Sequence, residues 1–264
     1  MRSTLLLSAF PAVVLMSAGC TSGAPGPAPA GTTTTAIETA TPVSSALPAP
    51  PRTVVLDPGH NGGNAAHLAQ ITAPVPDGRG GTKACNTTGT AADSGYPEHA
   101  FTWDVSLRVR DALTAHGVRV ILTRDDDTGV GPCVDRRAAI GNDAAADAVV
   151  SIHADGHPGA DAHGFHIAYA DPPLNPVQAD AGVALATALR DAMVRGGVVP
   201  STYVGSAGLN PRADLAGLNL AQRPAALVEC GNMRSAADAA LIETPEGRAR
   251  YAELVTAGIL AFLA

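Results

Sequence analysis

The stretch "TVVLDPGH", residues 53–60, runs from β-branched and apolar residues into an acid, a proline, a glycine and a histidine. β-Branched side chains suit a pleated, half-buried backbone, and Pro and Gly then stop it. The stretch therefore reads as a buried strand that ends by presenting a histidine on a glycine turn. Similar runs recur: "VRVILT" at 118–123, "DAVVSIH" at 147–153 and "PAALVEC" at 224–230. "GFHIAYA" at 164–170 alternates and suits a strand nearer an edge, and "VVPSTYV" at 198–204 is a weaker candidate. Between them lie helical patterns at 97–116, 133–145, 177–195 and 244–263. In the first, Phe101, Val105, Val109 and Ala112 share a face and Pro97 suits the first helical position; in the last, Thr244 is the cap and Pro245 follows it. Short apolar runs alternating with helices predict an α/β fold, with a mostly parallel central sheet covered by helices on both faces.

Outside residues 52–264 the composition changes. Residues 1–20 combine Arg2 with a short apolar run and then small residues, the pattern of an export signal too short to span a bilayer. They end in "SAGC", which resembles the lipobox of bacterial lipoproteins and implies lipidation at Cys20, with Ser17 standing where that motif usually has Leu. Residues 21–51 are rich in Ala, Pro and Thr and bury too little apolar surface to fold, so they read as a tether. The whole chain of 264 residues is 46% hydrophobic and 16% charged, with a formal charge of −7. That composition supports one globular domain and argues against a nucleic-acid binder, which needs clustered Lys and Arg. Export permits oxidation of thiols. Cys85 and Cys133 both sit in turn-rich stretches and are expected to pair, leaving Cys230, at the end of an apolar run, buried and free.

Residues 61–96 break the rhythm with Gly, Thr, Asn and Pro. A loop of that length in a compact domain is usually functional or disordered, and its place after His60 makes it a border of a site. In open α/β sheets, ligands bind beyond the carboxyl ends of the strands. His60 follows the first strand, His153 ends "VVSIH", Glu229 ends "AALVE", and Glu98 starts a helix on the side of its apolar stripe. Each has a plain alternative: a turn histidine, a core histidine, a buried ion pair between Glu229 and an arginine such as Arg124, or an acid favoured by the helix dipole. Together they match what a hydrolytic metal centre needs, three imidazole or carboxylate ligands and a further carboxylate to move protons.

"VVLDPGHNGG", Glu98, "VILTRDDD", "RRAAIGNDAAADAVVSIHADG" and "PAALVECGNMRSAADAALIETPEGRARYAELVTAGILAF" together resemble the zinc-dependent N-acetylmuramoyl-L-alanine amidases of the Amidase_3 type, including actinobacterial cell-wall enzymes. The resemblance runs from about Arg52 to Phe262. It implies Zn2+ held by His60, Glu98 and His153, with Glu229 as the catalytic acid and base, and Asp93 as the substitute should Glu98 not serve. It further implies a peptidoglycan or muropeptide substrate, cut between N-acetylmuramic acid and the L-alanine of the stem peptide, by a monomer outside the cytoplasmic membrane. Asp57 or Asp155 would orient a ligand ring, and one of Arg79, Arg124 or Arg136 would meet a substrate carboxylate. His99 is the nearest rival ligand, and the other histidines are expected in surface or packing roles. The competing readings are a zinc peptidase of related architecture and a wall-binding lipoprotein without turnover; the latter has no use for Glu229.

Overall fold

The computed structural model describes residues 51–264, together with 23, 24 and 26. The export signal, Cys20 and nearly all of the tether lie outside the described residues. Six strands form one sheet. The first, β1 (Thr53–Pro58), is the opening stretch of the sequence analysis. Across the irregular segment come a one-turn helix α1 (Leu68–Ile71) and a small hairpin of β2 (Pro74–Pro76) and β3 (Thr82–Ala84). Then follow α2 (Glu98–Ala115), β4 (Arg119–Leu122), α3 (Val134–Asp143), β5 (Ala148–Asp155) and β6 (His166–Ala170). A π-helical turn, Gln178–Gly182, leads into α4 (Val183–Arg195), and β7 (Leu209–Arg212), α5 (Ala216–Asn219), β8 (Ala225–Asn232), α6 (Ala236–Ile242) and α7 (Pro245–Leu263) complete the chain.

The sheet order is β4-β1-β5-β8-β6-β7. All neighbours are parallel except β6 against β8, so the expected α/β architecture holds. No helix among the described residues is long and apolar enough to cross a membrane.

Two sequence expectations need correction. Residues 198–204 form no strand; Pro200 makes only an isolated bridge to Phe165, and the edge strand is the polar β7, which holds Pro211. Proline is tolerated there because an edge strand has a side on which no ladder donor is needed. β6 lies next to that edge strand, between β8 and β7, and so near an edge as expected. Pro97 is the N-cap of α2 rather than its first residue. Thr244 caps α7 as expected, its hydroxyl accepting the Gly247 N–H at 3.1 Å.

The two faces of the sheet differ. Strand β5 alternates without exception: Ala148, Val150, Ile152 and Ala154 are fully buried, while Val149, Ser151, His153 and Asp155 are partly exposed. The buried set packs with Val54, Leu56, Val228 and Cys230 against α2, α4 and α7, where Phe101 meets Tyr251 edge-on with ring centroids 5.9 Å apart. The other face is covered only in part, by α3 and the single turn α5. The strand period of two thus sends one half of β5 and of β8 into the core and the other half toward a cavity.

Candidate active site

That cavity has a volume of about 470 Å³. Its polar end holds His60, Glu98, His153, Asp155 and Glu229, and its apolar end runs along Val149 and Leu227 beneath Val134, Leu215 and Leu218. Lys83, Ala84, Asn86, Thr87, Gly89 and Thr90 form a wall, so segment 61–96 borders the site as expected, though it is folded rather than irregular. Cys85 and Cys133 are bonded to one another and tie this wall to the start of α3, while Cys230 is free and buried.

His60, Glu98 and His153 come together: one ligand atom from each lies within 4.8 Å of the other two. Glu98 sits between the rings, Oε2 3.1 Å from His60 Nε2 and Oε1 2.9 Å from His153 Nδ1. The same carboxylate accepts the backbone N–H of Thr90 at 3.0 Å and of Ala154 at 3.2 Å, which fixes it to the wall and to β5. Burial pushes Glu98 upward, but the charge of His60 and hydrogen bonds from both rings more than offset this and hold it well below the usual carboxylate range. His60, opposed by its burial, is raised by the same carboxylate. Its Nδ1 lies 3.1 Å from the Thr87 carbonyl, which accepts an N–H from Nδ1 and turns Nε2 toward Glu98.

The backbone that delivers His60 is strained. Its φ is +59°, a left-handed conformation costing about 1–3 kcal/mol for a residue with a side chain, which persists only when its surroundings impose it. Two buried arginines do so. Arg137 donates to the carbonyls of Pro58 at 2.6 Å and His60 at 2.9 Å, and Arg124 to that of Pro58 at 3.0 Å. Asp57 secures Arg137 at 2.8 Å and accepts from Thr123 and Ser151. Against the upward push of burial, Arg137 and these hydrogen bonds lower Asp57 to about 2. Gly59 is required as glycine, because a Cβ there would collide with the His153 ring.

Glu229 stands in the cross-strand row beside the cluster. Register pairs it with His153 on β5 and with His166 on β6, so His153, Glu229 and His166 occupy one row of the open face. Its Oε2 is buried with no hydrogen-bond partner. Burial, and then the charges of Glu98 and Asp155, raise its carboxyl well above the usual range. A carboxyl set high beside one set low is the usual signature of a division between proton carrier and charge-bearing group.

Other expectations are redistributed. Arg124 contacts the 58–60 loop and the Trp103 ring rather than Glu229 or the cavity, Arg79 is committed to the carbonyls of Ala213 and Pro172, and Arg136 pairs with Asp143 on the surface. None of the three lines the cavity; its cationic side chains are Lys83 and Arg137. Asp93 is exposed and pairs with Arg234, and His99 bonds Asp127 at 2.7 Å. Of the two second-rank carboxylates, Asp57 orients the loop through Arg137. Asp155 lines the cavity. Sequence reasoning passed over Arg137, whose signal is absent from periodicity because its targets are the backbone carbonyls of Pro58, His60 and Pro132 besides Asp57.

The chain is similar to known proteins of one family. The family model described as N-acetylmuramoyl-L-alanine amidase matches residues 54–261. The chain is 48% identical over 233 residues to the N-acetylmuramoyl-L-alanine amidase Rv3717 of Mycobacterium tuberculosis, covering 86% of this chain and 95% of the relative. It superposes on the crystal structure of the amidase Ami1 from Mycobacterium smegmatis with a TM-score of 0.78 and 55% identity, covering 80% of this chain and 96% of that one. The amidase AmiC2 of Nostoc punctiforme is similar at a TM-score of 0.62 and 26% identity, over 80% and 97% of the two chains.

Proposed function

The chain belongs to the Amidase_3 family of N-acetylmuramoyl-L-alanine amidases, and from that premise we propose that it is a zinc hydrolase whose metal is held by His60, Glu98 and His153 and whose proton carrier is Glu229. The reaction is hydrolysis of the amide between the lactyl group of N-acetylmuramic acid and the L-alanine of the peptidoglycan stem peptide, which gives the enzyme a role at the cell wall. The observation that carries the residue assignment is the pairing of a three-residue ligand cluster with a buried, unpartnered carboxyl one strand away.

Two imidazoles and one carboxylate are a donor set that suits zinc, and His60, Glu98 and His153 bring one ligand atom each close enough together that they would hold it. Zinc bound there supplies polarisation of the scissile carbonyl and a lowered pKa for water. The chain's own residues do the rest. Glu98 neutralises part of the metal's charge and spaces the two rings, and Thr87 and Arg137 keep His60 in register. Glu229 takes the proton of the attacking water, which its raised pKa equips it to hold, and delivers it to the nitrogen as the C–N bond breaks. Segment 61–96 walls the cavity on one side of these residues.

The domain 52–264 works as a monomer on the outer side of the cytoplasmic membrane, tethered by residues 21–51 to a lipid on Cys20. The "SAGC" sequence and the tether composition support this arrangement. Mass spectrometry of the products from purified muropeptides and the zinc-loaded protein tests the bond and the metal together. Free stem peptide beginning with L-alanine, formed with zinc and not after chelation, is the expected result. Cleavage between amino acids would overturn the bond assignment, and full activity without zinc would overturn the metal. Release of the protein from membranes on Cys20→Ser is the corresponding test of the anchor, and unchanged attachment would refute it.

A further inference from the structure

The open face carries a second polar group that the chemistry above does not use. His166 opens β6 directly across from Glu229, with its side chain only 3% exposed. Its Nδ1 faces the Asn210 amide at 3.4 Å, and its Nε2 is buried without a hydrogen-bond partner, 3.6 Å from Asp155 Oδ2. The Tyr203 hydroxyl donates to the same Oδ2 at 2.9 Å, and the Gly156 N–H is held by Oδ1 at 2.7 Å. The Tyr203 ring packs against His157 and edge-on to His166, with centroids 4.6 and 6.1 Å apart. Asp155 itself stays 36% exposed and lines the cavity one pleat beyond His153, beside Glu229. A carboxylate needed only for a turn at Gly156 would not require a buried histidine and a tyrosine to hold it.

We propose that Asp155, held by Tyr203 and His166, forms the leaving-group subsite and accepts the N–H of the scissile amide. The inference rests on the amidase reading and deepens it. As the nitrogen pyramidalises, an N–H fixed on Asp155 turns the nitrogen lone pair toward Glu229. The C–N bond then breaks, the proton of Glu229 goes to nitrogen, and Asp155 gives and takes no proton, so the step balances without a co-reactant. The released amine stays hydrogen-bonded to Asp155 until the peptide leaves. Asp155 is on this account a catalytic residue; Tyr203 and His166 are positioning residues.

The test compares two substrates on the zinc-loaded full chain: a muramyl-L-alanyl peptide, and its analogue in which the scissile N–H is replaced by an ester oxygen. Asp155→Ala is expected to lower kcat on the amide about 10- to 100-fold, the size of a lost hydrogen bond to a charged group, and to leave the ester rate largely unchanged. Tyr203→Phe should show the same selectivity at smaller size, and Asp155→Asn, which keeps an acceptor oxygen, should recover part of the amide rate. Zinc content, measured alongside, should equal that of the wild type. Equal losses on both substrates, or no loss on the amide, would overturn the proposal. Should Asp155→Ala fail to fold, the Tyr203→Phe comparison decides in the same way. A wild-type enzyme that cuts neither substrate would instead count against the amidase reading. Calorimetry then tests the subsite alone: Asp155→Ala should weaken binding of a free L-alanyl peptide and not of its desamino (propionyl) analogue, which has no N–H to donate, and equal binding of the L-alanyl peptide by both proteins would refute it.

Discussion

The two faces of the sheet are made from the same strands and have been put to opposite uses. Ile152 and Val228 are fully buried under α2, α4 and α7, while their immediate neighbours His153 and Glu229 stand in a cavity. Residues one position apart along the chain therefore answer to different selection of chemistry: volume on one side, charge and hydrogen bonding on the other. The helix-covered face gains stability from apolar area removed from water. The open face gives some of it back, in a left-handed histidine and a carboxyl with no partner. The comparison teaches that the site is not an addition at the sheet's end but the uncovered half of its pleat.

Glu229→Gln separates the two faces most sharply. Turnover should fall by about 10²- to 10⁴-fold, the usual share of general acid–base catalysis. Stability should move the other way. Because the folded pKa of Glu229 is raised, its contribution to stability is complete below the ordinary carboxyl range and is lost as pH rises toward the folded value. At pH 7 the amide should therefore melt no lower than the wild type in calorimetry, and a clear drop in Tm would contradict the buried, unpartnered state.

Ile152→Ala is the converse experiment. It should cost about 2–5 kcal/mol by denaturant unfolding, as large-to-small changes in packed cores do, with kcat of the folded fraction unchanged. A large loss of kcat at full folding would show that the two faces are not independent.

Asp57→Asn gives the smallest effect of the three. Asp57 is lowered from its ordinary value to about 2, so its contribution is present above the ordinary carboxylate range and lost as pH falls through about 2. The difference amounts to about 2 kcal/mol at neutral pH. Unfolding at pH 7 should show that loss in the variant, and the gap should narrow at pH 3; a constant gap would mean that packing rather than charge is at stake.

Much of this division was legible in the sequence, and the limits are physical. His60 and His153 stood out because an imidazole closing an apolar run is costly to bury without a partner. The alternation of β5 was masked, since Val149 and Ser151 on the open face look as strand-like as Val150 and Ile152. His166 carries no sequence signal beyond a surface or packing role, because its place beside Glu229 depends on β6 running antiparallel to β8, a pairing that no local pattern encodes. The edge strand β7 was missed because it is short, polar and holds a proline, whereas 198–204 offered valines that suit a strand although Val199 is exposed. The arginines were misjudged because a guanidinium aimed at backbone carbonyls leaves no trace in spacing.

A crystal structure of the zinc-soaked protein, with the metal located by anomalous scattering, tests the central claim most directly. The expected result is one zinc about 2.0–2.2 Å from a nitrogen of His60, a nitrogen of His153 and a carboxylate oxygen of Glu98, with Glu229 unligated beside the fourth position. Zinc bound through Glu229, or located away from this cluster, would contradict the assignment of the open face.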